Sequence, residues 1–248
     1  MPCAATQSAS PPPGAAHPAF LPDVWRASEL ARSRGVSCPT GHAALDAELP
    51  DKGWPRSTMI ELLLQQSGIG EIHLLRATLA QLSRRHRIAI VQPPYLPNSA
   101  ACTFMEFNCP NLLWIRAPRT ADALWSTEQI LRNGSCGAVL LWQSQIRGEA
   151  LRRLNLAAQG TETFFWLLRP LAAAADASPA PLRLALRPSA GGVSVQVVKR
   201  RGPHHEAPLF IALAQMPARH NFLDKHHAVL AQRTSAPVAD RVHQAALV

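Results

Sequence analysis

The 248-residue sequence contains one tyrosine, three lysines and no cysteine pair at C-x-x-C spacing. The five cysteines (Cys3, Cys38, Cys102, Cys109 and Cys136) therefore do not spell a zinc site, and free thiols of a reducing compartment are expected. No run of about 18 uncharged apolar residues is present, so no membrane-spanning helix is expected. The first segment, "MPCAATQSASPPPGAAHPAF", lacks the basic and continuous apolar regions of a signal peptide. A cytoplasmic location, with or without nucleoid association, is the resulting expectation.

Hydrophobic residues make up 47% of the chain, which argues for a packed interior rather than general disorder. The length suffices for one sizeable core. The net charge is +9, and arginine supplies 22 of the 25 basic residues. Together with abundant alanine and proline, this is the composition that a GC-rich genome produces, so charge alone does not define a nucleic-acid surface.

The chain divides by composition. Residues 1–19 are Pro, Ala and Ser with almost no charge and read as a disordered leader. Residues 20–35 contain a short amphipathic helix, with Asp23 as cap and Trp25 and Leu30 on one side. Residues 36–216 form the core. Residues 217–248 are a polar, basic, His-rich tail with one helix expected near 221–233. Six of the ten histidines lie at or beyond His204. Their spacing supplies no metal-ligand set, and no metal is expected.

Within the core, short apolar runs alternate with helical patterns. Strands are expected at 58–64, 87–92, 112–116, 137–142, 163–168, 182–187, 193–198 and 208–214. Helices are expected at 70–86, 120–133 and 147–159. In the first helix Ile72, Leu75, Leu79 and Leu82 recur at three- and four-residue spacing. This alternation predicts an α/β fold with a mostly parallel central sheet flanked by helices. The last three strands have no helices between them, so antiparallel pairing is expected at one edge. "SAGG" at 189–192 is the hairpin turn between two of them.

The stretch "MIELLLQQSGIGEIHLL" (59–75) reads as strand, glycine turn and helix, the setting in which a phosphate loop works. Such a loop needs G-x-x-x-x-G-K-[ST], with the lysine on the phosphates and the hydroxyl on magnesium. With Gly70 as the second glycine, Gln65 replaces the first, Glu71 replaces the lysine and Ile72 replaces the hydroxyl residue. With Gly68 in that place, the lysine becomes Ile69. A carboxylate about 4 Å from a phosphate oxygen costs about 1 kcal/mol even in water. The strand "AVLLWQS" (138–144) carries Trp142 where a magnesium-holding Asp would stand. The strand at 88–92 runs into "QPPYLP" without a carboxylate to activate water. Three catalytic elements are missing independently, so the sequence predicts neither ATP hydrolysis nor a cofactor.

Read together, Thr40-Gly41, Leu45-Asp46, Gly53-Trp54-Pro55-Arg56, Met59-Ile60-Glu61-Leu62 and the loop resemble the opening of the RecA ATPase core. "GAVLLW" resembles its second nucleotide-site strand, and "VSVQVVKRRG" (193–202) a late RecA strand. Within that superfamily, "GWPRSTMIELL", "GIGEIHLL" and "AVLLWQSQIR" resemble the ImuA family, in which a Gly-Ile-Gly-Glu loop is typical. Asp51-Lys52 and Ser57 depart from that pattern, since paired glycines and a glycine are usual there. The chain is also similar to the SulA-type division inhibitors, which share the decayed core.

The resemblance implies a RecA-like core and a non-catalytic accessory role in SOS-induced, error-prone translesion synthesis. The implied partners are ImuB, RecA and an error-prone polymerase; the SulA alternative implies FtsZ. Candidate DNA contacts are Arg84, Arg85 and Arg87 near the end of the first core helix, and Lys199, Arg200 and Arg201 after a late strand. A solvated basic loop and a favourable helix C-terminus explain them equally well. Candidate partner contacts are Phe20, Leu21 and Trp25 before the core, and Phe222 and Leu223 after it.

Overall fold

The computed structural model describes residues 37–96, 98–202 and 207–214. The predicted leader, N-terminal helix and polar tail lie outside these residues, as do Phe20, Leu21, Trp25, Phe222 and Leu223. A two-stranded ribbon, β1 (Ser37–Cys38) and β2 (Trp54–Pro55), brackets a short helix, α1 (Ala43–Glu48). The chain continues through β3 (Met59–Leu64), α2 (Glu71–Leu74), α3 (Arg76–Ser83), β4 (Ile88–Val91), α4 (Ser99–Met105) and β5 (Leu112–Ile115). Then come α5 (Thr120–Asn133), β6 (Ala138–Trp142), α6 (Gly148–Gln159) and β7 (Phe164–Pro170). The strands β8 (Leu182–Ser189), β9 (Gly192–Lys199) and β10 (Leu209–Ala212) follow.

Eight strands form one sheet in the order β10-β9-β8-β3-β7-β6-β4-β5. Pairing is parallel from β8 to β5 and antiparallel from β8 through β9 to β10. The expected α/β class, parallel centre and antiparallel edge are all present. β8 serves both parts, running parallel to β3 and antiparallel to β9.

The central strands are apolar on both faces because both faces are covered, and every residue of β3 is buried. Ile60, Leu62 and Leu64 share one core with Phe164, Trp166 and Leu168, beneath α1, α2 and α3. Trp166 stacks on Phe164 at 5.3 Å and meets Trp54 edge-on at 5.9 Å. Met59, Val139, Leu141, Phe165 and Leu167 face the other way, against Ala123 and Leu131 of α5 and Leu151 and Leu154 of α6. In β9, only alternate residues (Val193, Val195 and Val197) are buried, as suits an edge with one covered face. Gly191 turns the hairpin into β9 at φ 75°.

The periodicity at 70–86 predicts one helix, but the chain forms two. The run is interrupted at Leu75 (φ −90°, ψ −3°), where neighbouring Leu74 and Leu75 are both buried, and α3 ends at Ser83. The sequence reading also omits α1 and α4. Each buries at most two side chains, so neither repeats an apolar face long enough to register.

One charged cluster lies inside the sheet. Glu61 of β3 is fully buried and pairs with Arg183 of β8 at 2.5 Å and Arg169 of β7 at 3.5 Å. Arg183 also donates to the carbonyls of Ala173, Ala174 and Asp176, and Arg169 pairs with the Asp176 carboxylate at 2.8 Å. The short helical segment Leu171–Ala175 thus covers this part of the sheet, held there by two guanidinium groups. No helix among the described residues is long and apolar enough to cross a membrane.

Candidate functional site

Parallel α/β sheets build their sites beyond the carboxyl ends of their strands. There, β3 leaves the sheet at Leu64 and residues 65–70 lead into α2. Gly68 and Gly70 have φ of 83° and 113°, a left-handed geometry that turns their N–H groups inward. The φ of Gly70 is one that favours glycine, while Leu213 Cδ1, 2.3 Å from where a Cβ would stand, is the end of a side chain that can turn aside.

The inward N–H groups do have an acceptor. Glu71, 3% exposed, folds back so that Oε1 accepts from Gly68 at 2.9 Å, and Oε2 accepts from Gly68 at 3.1 Å and Gly70 at 3.2 Å. The loop is built around an anion, and that anion is its own side chain. The arrangement resembles the returning half of a capping box, in which a glutamate reaches an N–H three residues earlier. That spacing from Gly68 to Glu71 is the sequence signal that could have revealed it.

The surroundings complete the picture. Ile72 sits on the wall of an apolar groove of about 330 Å³, together with Ile90, Met105, Phe107, Trp114 and Trp142. Tyr95 closes over Gly68. A neighbouring cleft of about 560 Å³ is lined by the amides of Gln65, Gln66, Gln92 and Gln143 and the hydroxyls of Ser67 and Ser144. No described residue lining that cleft is acidic. Gln92 is held at φ 53°, its amide donating to the Ala117 carbonyl, and Gln143 donates to Thr120 Oγ1 at 3.1 Å. The residues present do not fit a magnesium nucleotide. The loop donors already hold a carboxylate, Ile72 has no hydroxyl, and Trp142 offers no oxygen.

On the other side of α2 and α3, His42, His73, Arg76, Arg84 and Glu106 line a third cleft. Burial holds His42 below the usual imidazole range, against smaller upward pulls from a backbone hydrogen bond with Leu74 and from Asp46. Burial, and then the Arg76 guanidinium, do the same to His73. Arg76 is itself paired with Glu106.

The six candidate DNA contacts all lie at the opposite, amino end of the parallel strands. Arg84, Arg85 and Arg87 are exposed just before β4. Lys199 donates to the Ser178 carbonyl at 2.9 Å and Arg200 pairs with Glu48 at 3.5 Å, while Arg201 is exposed. β4 and β9 are five strand positions apart, so the two groups are separated by about 24 Å. The structure does not merge them into one patch. Sequence reasoning missed the groove and the Glu61 cluster. Charged residues inside the apolar strands "MIELLL" and "LRLALR" were the available sign of the latter.

No protein-family model matches the chain, and no curated protein matches it. Among solved structures, a crystal structure of SulA from Pseudomonas aeruginosa is similar to part of it, with 25% identity over 47% of this chain and 99% of that one and a TM-score of 0.38.

Proposed function

We propose that this chain is a non-catalytic, RecA-like accessory protein of SOS-induced translesion synthesis, acting as a scaffold for ImuB and an error-prone polymerase. The observation that carries the non-catalytic part is the Glu71 carboxylate seated on the N–H groups of Gly68 and Gly70. A loop closed on its own side chain keeps its strand–turn–helix geometry while its donors are spent. The apolar strands and turns around it are retained, which suits a fold used for binding rather than turnover. The translesion setting rests on the motifs at 38–75 and 138–147 described above.

The test is recovery of tagged full-length protein from cells after DNA damage, with bound proteins identified by mass spectrometry. Recovery of ImuB, RecA or an error-prone polymerase is the expected result. Recovery of FtsZ without them would replace this reading with division inhibition, for which septation on overexpression is the companion assay.

A further inference from the structure

Two of the cysteines meet. Cys102 lies in α4, and α4 ends in a reversal. Glu106 takes left-handed geometry at φ 62°, its N–H donates to the Thr103 carbonyl at 3.1 Å, and the Phe107 N–H donates to the Cys102 carbonyl at 2.9 Å. This is the bonding pattern of a Schellman turn. It sends the chain back from the helix end into the tight turn Cys109–Asn111. That turn is fastened to α3, because the Asn108 N–H donates to Ser83 Oγ at 3.0 Å and the Asn111 amide to the Ser83 carbonyl at 2.7 Å. Held between these anchors, the Cys102 and Cys109 thiols are in hydrogen-bond contact, and both are free.

The two thiols are unequal. Cys109 is exposed, whereas Cys102 is 6% exposed and lines the apolar groove with Met105 and Phe107. Burial, and then the hydrogen bond and charge of Cys109, push the Cys102 thiol up to about 11, so it stays protonated at neutral pH. An oxidant from solution therefore meets Cys109 first. An accessible thiol that touches a second, protected one is the arrangement of an oxidant-sensitive cysteine beside its resolving cysteine. The fold has already brought the two together, so a bond between them closes a loop that is ordered beforehand.

We propose that Cys102 and Cys109 form a reversible dithiol–disulfide switch, closed by a hydroperoxide and reopened by a small thiol. The Cys109 thiolate attacks one peroxide oxygen, the O–O bond breaks, and Cys109 becomes a sulfenic acid. The hydroxide that leaves takes up the proton that Cys109 lost. The Cys102 sulfur then attacks the Cys109 sulfur, the S–O bond breaks, and the departing hydroxide leaves as water with the Cys102 proton. Two thiols give up two electrons, and one peroxide is reduced to two waters. The new bond fastens α4 to the turn that leads into β5 and so stiffens this wall of the groove. The inference is independent of which partner the protein binds.

Arg87 and Arg116 flank both cysteines with no basic residue between them, so trypsin delivers the pair on one peptide, 88–116. The full chain is treated with hydrogen peroxide, alkylated with N-ethylmaleimide in denaturant, digested and weighed. The peptide should carry no alkyl group after oxidation, and two when dithiothreitol precedes alkylation. Cys102→Ser should leave a sulfenic acid on Cys109 that dimedone captures, and Cys109→Ser should slow oxidation of Cys102 at least tenfold. Amide exchange over 99–109 should slow by roughly tenfold in the oxidised chain and recover on reduction, with β8 and β9 unchanged. Two alkyl groups on the oxidised peptide, none after dithiothreitol, or a crosslink to another cysteine or a second chain would overturn the proposal. So would equal oxidation of Cys102 with and without Cys109, or a disulfide that leaves exchange over 99–109 unchanged.

Discussion

The Glu71 carboxylate accepts the Gly68 main-chain N–H through both of its oxygens, at 2.9 and 3.1 Å, and reaches Gly70 with the second. In the sequence this residue stands where a phosphate loop would carry lysine. In the fold it is the loop's acceptor, and its removal has consequences that a merely vacant position would not have.

Glu71→Ala leaves two inward N–H groups without a partner. Gly68 is exposed and Gly70 half-buried, so water reaches these donors and the loss is about 0.5–2 kcal/mol, as for a helix cap. Chemical denaturation should show a loss in that range, with Glu71→Gln losing less because its carbonyl oxygen still accepts. Equal stability of Glu71→Ala and the parent would mean that the contact is not formed.

Glu71→Lys combined with Ile72→Thr restores the letters of a phosphate loop. It should not restore phosphate release from Mg-ATP, because Trp142 still stands at the end of β6 and the cleft beyond it is lined by amides. Turnover above background by this double variant would refute the reading of the β6 strand.

Glu61 pairs with two guanidinium groups that are 3% and 5% exposed; Arg169 also holds the Asp176 carboxylate, whereas Glu61 is the carboxylate on Arg183 among the described ion pairs. Glu61→Gln leaves buried positive charge uncompensated, and breaking such a pair costs about 3–5 kcal/mol. Equilibrium unfolding measures this. A loss below 1 kcal/mol, as for a surface pair, would show that water reaches the cluster.

His42 and His73 are both held below the ordinary imidazole range by burial. Their folded pKa values lie below the 6.5 of a free imidazole, the value taken for the unfolded chain. The unfolded state therefore binds more protons on the acid side. Their contribution is fully present above the unfolded pKa and is lost as pH falls through the folded values. Thermal unfolding should give a lower Tm at pH 5 than at pH 7.5, and His42→Gln with His73→Gln should flatten that difference. An unchanged difference would assign it to other groups.

Among the six basic candidates, Arg84, Arg85 and Arg87 are exposed together, whereas Lys199 and Arg200 are tied to Ser178 and Glu48. Any retention of duplex DNA by the chain should therefore weaken steeply with salt, and replacing the three arginines by serine should reduce the logarithmic salt slope by about 2.7. A salt-independent response would remove these residues from consideration.

The strands were legible because their signal is local. "MIELLL", "AVLLW" and "FFWLL" are short apolar runs separated by helices, and that alternation implies parallel pairing with both faces covered. The cleaner alternation of "VSVQVV" marked a strand of the antiparallel part of the sheet, next to its edge, since one covered face leaves a period of two. The short helices α1 and α4 were not legible, because one or two buried side chains do not make a period. The departure of Glu71 from a working loop was also readable, since the chemistry of lysine cannot come from a carboxylate.

What that carboxylate does instead was decided by the tertiary structure. Its direction depends on the left-handed turns at Gly68 and Gly70, whose N–H groups it accepts. The Glu61 cluster likewise joins residues more than a hundred positions apart, and the groove draws its walls from α2, α4, β4, β5 and β6. Residue order and local pattern determined which segments became strands and which helices covered them. Burial and long-range packing then decided where the remaining charges found partners, because the cost of an unpaired buried charge is settled by whatever side chain the fold brings within reach.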